Sequence, residues 1–138
     1  MRPTKDEYYL KIAEAVASRS TCLRRQYGAV IVKRDTIVST GYNGAARGIK
    51  NCCDVGSCWR EENGIPHGQQ YEKCKAVHAE ANAITNASRE EMEYATLYLA
   101  GFENGEPITN PEPCEMCRRL IRNAGIINVV TREGVAFV

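Results

Sequence analysis

Apolar residues recur along the chain in two different periods, and the changes of period mark out its elements. Between Lys5 and Ser20, the residues Tyr9, Ile12, Ala13 and Val16 fall on one face of a helix. Thr4 stands at the N-cap position, and Glu7 three residues later completes a capping box, so a helix begins there. Ser18 to Gln26 is a polar connection. Gly28-Ala29-Val30-Ile31-Val32 is a short unbroken apolar run, the pattern of a buried strand. Arg34-Asp35 marks a turn, and Thr36 to Gly41 reads as the returning strand of a hairpin. Arg47 to Lys75 has no period and is rich in Gly, Asn and Cys. The pattern then predicts a helix over Lys75 to Arg89 and a strand over Ala95 to Ala100. A Gly- and Pro-containing loop follows from Gly101 to Glu112. A second helix runs from Cys114 to Asn123, with Gly125 as its C-terminal cap, and a strand covers Ile126 to Thr131. Arg132 to Val138 is too short to assign.

The order is therefore α, β, β, α, β, α, β. A hairpin followed by strands alternating with helices implies an α/β fold, a mixed sheet with helices packed on it. The later β-α-β-α-β stretch is expected to run parallel through right-handed crossovers. At 138 residues the chain is expected to form one domain, 1–138, large enough to bury its own core.

Composition removes several function classes. Neither a membrane-length apolar run nor a leader peptide is legible, so the expected location is cytoplasmic. A net charge of +1 argues against a large nucleic-acid footprint, although a few Lys and Arg residues suffice for one phosphate. Seven cysteines in a chain without a secretion signal point to metal binding rather than disulfides.

The chemistry concentrates in two distant segments, His78-Ala79-Glu80 and Pro113-Cys114-Glu115-Met116-Cys117. H-x-E followed by P-C-x-x-C is the known signature of zinc-dependent nucleobase deaminases. One imidazole and two thiolates give Zn²⁺ three ligands and leave a fourth position open, as catalysis requires. The helix formers from Ala79 to Ile84 put His78 in the first turn of a helix. Cys114 and Cys117 open the next helix, whose N-terminal amides and dipole favour thiolates. Glu80, two residues past His78, is placed to move protons without ligating. A closed structural zinc, a redox pair or two buried thiols are the rival readings of the C-x-x-C alone.

The remaining cysteines, Cys22, Cys52, Cys53, Cys58 and Cys74, all lie before His78, most of them in the irregular stretch with His67. A long irregular segment needs something to hold it, and a second zinc on Cys22, Cys52, His67 and Cys74 would do so. Reduced cysteines without metal are the alternative. Asn43, between Tyr42 and Gly44, reads on composition as a turn residue. Arg24, Arg25, Arg47 and Arg118 are candidate phosphate contacts, with Arg24 and Arg47 preferred; each is otherwise an ordinary solvated side chain.

Taken together, these residues give the chain a family likeness. Tyr27 to Val32, Ser39-Thr40-Gly41-Tyr42-Asn43-Gly44, Asn51-Cys52-Cys53-Asp54, the two zinc segments and Asn123 to Ile126 resemble the cytidine deaminase superfamily, and within it the deoxycytidylate (dCMP) deaminases. The resemblance implies a three-layer α/β/α fold and zinc-dependent hydrolysis of dCMP to dUMP, a precursor for thymidylate. It implies His78, Cys114 and Cys117 as zinc ligands and Glu80 as proton shuttle. Asn43 would bond the sugar, and the Ala79 amide would receive the pyrimidine carbonyl. It further implies a homo-oligomer built from dimers. Control by dCTP and dTTP is also implied, with the effector near Tyr42, Asn43 and Gly44. Some relatives carry a second zinc, and Cys22 and Cys52 match two of its ligand positions. Two departures stand out: the long loop before Pro113 and the early end after the last strand. Rival functions are deamination of another cytosine nucleoside or nucleotide or of a tRNA base, and a non-catalytic zinc-binding interaction module.

Overall fold

Thr4 accepts the Glu7 N–H at 3.2 Å and Glu7 accepts the Thr4 N–H at 3.3 Å, so the capping box starts helix α1, Lys5–Ala17. The computed structural model of the protein describes residues 1–51, 53, 56, 62–64 and 76–136. Strands β1 (Gln26–Lys33) and β2 (Thr36–Tyr42) form the expected antiparallel hairpin. β3 (Gly44–Ala45) pairs with β4 (Ala76–Val77), and α2 (Ala79–Thr85) and α3 (Arg89–Met92) follow. Then come β5 (Thr96–Glu103), β6 (Glu106–Pro107), α4 (Glu115–Ala124), β7 (Asn128–Thr131) and β8 (Gly134–Ala136).

The main sheet has the order β2-β1-β5-β7-β8, with β6 paired to β5. β1 is antiparallel to both neighbours, and β5 and β7 are parallel. β2, β5 and β7 therefore run the same way, as the alternating pattern predicts, although β1 lies between β2 and β5.

Alternation along the strands sends side chains to two cores. Ala29, Ile31, Leu97, Leu99 and Val129 pack with Ala79 and Ala83 of α2 and Ile121 and Ala124 of α4. Val30, Val32, Tyr98, Ala100 and Val130 pack with Tyr9 and Ala13 of α1 on the opposite face. The result is three layers. Ile31, Leu97, Leu99 and Ile121 are fully buried, each worth about 1.5–3 kcal/mol of transfer free energy.

Several predicted boundaries move. Within the expected helix over Lys75 to Arg89 stand β4 and α2, and α3 begins only at its last residue. Asn86 ends α2, and Ser88 with Glu91 forms a second capping box that starts α3. The strand expected to stop at Ala100 continues to Glu103, because Gly101 and Phe102 still pair with Tyr27 and Gln26. Asn104 and Gly105, both at positive φ, then turn the chain into β6 inside the expected loop. The last predicted strand shortens to begin at Asn128, and β8 forms where no element was assigned. No helix among the described residues is long and apolar enough to cross a membrane.

Candidate metal centre and active site

The strand ends converge on one edge of the sheet. Gly44 pairs with Val77, which sets Asn43 beside the segment leading into His78. β5 runs toward the same edge and delivers the chain to Cys114. Ligand sites of open α/β sheets characteristically lie beyond the carboxyl ends of the strands, as here.

Helix α2 lies very close to the sheet. A Cβ on Gly41 would sit 2.3 Å from the Ala83 nitrogen and 2.5 Å from the Ala79 oxygen, so only glycine allows this approach. Three side chains complete the docking. The Ser39 hydroxyl donates to the Ala83 carbonyl at 2.7 Å, Asn82 Nδ2 to the Tyr42 carbonyl at 2.8 Å, and Asn86 Nδ2 to the Thr40 carbonyl at 3.0 Å. None of these three was singled out from the sequence.

His78 is the N-cap of α2 rather than a residue of its first turn, and Cys114 is the N-cap of α4. The Cys117 N–H points at Cys114 Sγ, 3.5 Å away. His78 Nδ1 lies 3.4 Å from Cys114 Sγ and 3.4 Å from Cys117 Sγ, and all three donor atoms lie within 4.8 Å of one another. Tetrahedral zinc with ordinary Zn–N and Zn–S bonds requires an N···S separation of about 3.6 Å, so the donor set fits Zn²⁺ in both chemistry and size. It is the one such His/Cys/Asp/Glu group among the described residues.

The pair of sulfurs is electrostatically split. Cys114 is pulled down to about 4 by the hydrogen bond from the Cys117 thiol, with His78 adding to the effect. Cys117 is pushed up, first by its hydrogen bond with Cys114, then by burial and by the nearby Glu80 charge. Glu80 is 5% exposed, and burial raises its pKa; its own backbone amide and His78 oppose the shift. A carboxyl group held reluctant to ionise, beside three metal donors, suits proton transfer.

Asn43 is buried, and its carboxamide makes three bonds. Oδ1 accepts from the Ser20 hydroxyl at 2.6 Å and the Tyr27 N–H at 2.8 Å, while Nδ2 donates to the Arg25 carbonyl at 2.8 Å. Its bracing role is thus visible in the structure, and one Nδ2 proton is left over for a ligand. Ala79 is the first residue of α2, so its N–H has no intrahelical acceptor. Tyr42 is partly exposed, and Gly44 lies against Thr21. Arg24 is half-buried and Arg47 exposed. Arg25 pairs with Glu103 and Tyr27, and Arg118 lies 3.6 Å from Glu112. Cys22 is half-buried with a free thiol, whereas Cys52, His67 and Cys74 lie outside the described residues.

The family described as the cytidine and deoxycytidylate deaminase zinc-binding region matches residues 3–133. The chain is 42% identical over 134 residues to the deoxycytidylate deaminase of Mycobacterium phage D29, covering 94% of both chains. It is 35% identical over 130 residues to that of Schizosaccharomyces pombe, covering 94% of this chain but 37% of the yeast protein. Among solved structures it is similar to the dCMP deaminase of cyanophage S-TIM5 in complex with dCMP and dUMP. The TM-score is 0.66 at 27% identity, covering 95% of this chain and 82% of that one.

Proposed function

Since the chain belongs to the cytidine and deoxycytidylate deaminase family, we propose that it hydrolyses dCMP to dUMP and ammonia, supplying dUMP for thymidylate synthesis. The observation that carries the deaminase reading is the buried carboxyl group of Glu80 against the His78–Cys114–Cys117 cluster. The dCMP assignment is supported by the phage relative, similar over nearly its whole length, and by the dCMP- and dUMP-bound neighbour.

In this reading His78, Cys114 and Cys117 hold the zinc. When bound, Zn²⁺ supplies a Lewis acid that makes a water nucleophilic near neutral pH. Glu80 takes the proton from that water and passes it to the ring nitrogen. Glu80 then takes the second proton, from the hydroxyl formed on the ring carbon, and gives it to the amine as the carbon–nitrogen bond breaks, so one water is consumed and one ammonia released. The Ala79 N–H receives the pyrimidine carbonyl oxygen, and Asn43 holds the sugar with its remaining amide proton. Arg24 and Arg47 are assigned to the phosphate, supported by the place of Arg24 next to the segment that Asn43 bonds and of Arg47 four residues after Asn43.

The reading extends to one domain over 1–138, a cytoplasmic homo-oligomer built from dimers, and dCTP and dTTP as effectors near Tyr42, Asn43 and Gly44. A second zinc on Cys22, Cys52, His67 and Cys74 is supported by one local fact: Asn51 accepts from the Thr21 hydroxyl at 2.9 Å and the Cys53 N–H donates to the Thr21 carbonyl at 3.2 Å, both beside Cys22.

The test is ultraviolet-monitored turnover of dCMP by zinc-replete protein with dCTP and Mg²⁺ present, alongside a metal count. Loss of the cytosine band is expected, with close to two zinc ions per chain. Turnover of deoxycytidine or CMP but not dCMP would overturn the substrate. A count near one would remove the second zinc.

A further inference from the structure

The turn at Asn104-Gly105 does more than bridge β5 to the Cys114 helix. Its base is clipped to the start of β1. The Arg25 guanidinium donates through Nε to Glu103, and its Nη1 lies 3.2 Å from the Tyr27 hydroxyl. The Arg25 side chain is only 25% exposed, so this pair is shielded more than a surface salt bridge. The Tyr27 ring lies against Gly101, where a Cβ would come within 2.7 Å of it, and the Ile108 N–H donates to the Gly101 carbonyl at 2.8 Å. Pro111, fully buried, fixes the chain just before Cys114. On its other side the same short segment is gripped by Asn43, which bonds the Arg25 carbonyl and the Tyr27 N–H. Arg25 to Tyr27 therefore stand between Asn43 and the hairpin that leads to the cysteine ligands.

We propose that the Arg25–Glu103 pair is a positioning device: it fixes the segment from Arg25 to Tyr27 that braces the Asn43 carboxamide, and so sets how strongly the enzyme discriminates at the sugar of its nucleotide. Arg25 is thereby a positioning residue, not a phosphate contact. The inference rests on the reading of Asn43 as the sugar contact. Glu103 lies on an element beyond the chemistry, so its removal acts on binding geometry rather than on the proton route.

The experiment uses zinc-replete full-length protein as Arg25→Gln, Glu103→Gln and the reversed pair Arg25→Glu with Glu103→Arg, each assayed on dCMP and CMP. Each single change is expected to raise KM for dCMP about five- to tenfold with kcat held within about twofold, and to erode the preference for dCMP over CMP. The reversed pair is expected to recover most of the loss, and zinc content to stay constant throughout. Unchanged KM and preference in both single variants would overturn the proposal. So would joint loss of kcat and zinc that reversal does not repair, since that marks a plain folding role. Should Arg25→Gln fail to fold, Glu103→Gln carries the test from the exposed side of the pair. If the wild type acts on another cytosine nucleotide or nucleoside and not on dCMP, the substrate reading fails, and the same KM shift on that substrate still decides the clip.

Discussion

Glu80 sits where burial, with Cys114 adding to it, opposes ionisation, while its own helix amide, His78 and Cys117 favour it, and the net shift is upward. A carboxyl group whose ionisation is opposed in this way suits the exchange of protons. Glu80→Gln preserves shape and removes the acid. Its kcat on dCMP is expected to fall by about 10²–10⁴-fold while zinc content and melting temperature hold. Retention of more than about a tenth of the activity would exclude Glu80 from the proton route. His78, Cys114 and Cys117 were legible in the sequence because catalytic zinc demands those donor types, and few other uses demand them together. Asn82, Asn86 and Ser39 were not. A carboxamide or hydroxyl bonds whatever the fold brings to it, and in Ser39's case the target is a helix more than forty positions away. Asn43 was half legible: its turn position was readable, its three bracing bonds were not.

At the scale of elements, the distance between α2 and β2 sets where His78 and Glu80 stand. Gly41 is the spacer. Gly41→Ala forces a methyl group into the backbone at Ala79 and Ala83, and is expected to cost about 1–3 kcal/mol of stability. Because the displaced helix carries a ligand, zinc retention in a chelator competition is expected to weaken as well. Unchanged zinc affinity in the variant would show that α2 is not the part that positions His78. Hydrophobic period found α1, β1, β2, β5 and α4, all with clear faces. It missed β3 and β4, which are two residues each and carry no period. It ran β4 and α2 into one helix and left α3 unassigned, although Ser88 and Glu91 spelled a capping box. The Asn104-Gly105 pair was a readable hairpin signal inside what was taken as loop.

At the scale of the molecule, α1 bridges the sheet far from the metal centre. The β1–β2 turn places Arg34 and Asp35 at φ of 53° and 59°, a conformation that costs non-glycine residues energy. Asp35 is held there by the Tyr9 hydroxyl at 2.6 Å and by Lys5 at 3.1 Å. Tyr9 is pushed up to about 12, mainly by that hydrogen bond, and Asp35 is lowered by the same bond. The tyrosine contribution is complete below the unfolded pKa of about 10 and disappears as pH rises through the folded value. The aspartate contribution is complete above the unfolded carboxylate pKa and disappears as pH falls through its lowered folded one. Tyr9→Phe is therefore expected to cost about 1–2 kcal/mol, or roughly 2–5 °C in Tm, at neutral pH. The gap from wild type should close toward pH 12; melts in which it stays constant to that pH would contradict the assignment. The strand order itself was only partly legible. Pattern gave β2, β5 and β7 a common direction, but which strand lies between them depends on pairing that no local signal encodes.

The two asparagines of α2 have one more effect. β2 is one of the two outer strands of the main sheet. The Asn43 N–H bonds the Tyr27 carbonyl, so Tyr42 and Thr40, out of phase with that pair, turn their carbonyls away from β1. Those are the groups an invading strand from another molecule would seek, and Asn82 and Asn86 already occupy them. The helix that carries the histidine thus also seals this edge of the sheet against templated self-association. Replacing both asparagines with alanine should appear in sedimentation as concentration-dependent aggregation; a variant as monodisperse as wild type would show the border is guarded elsewhere.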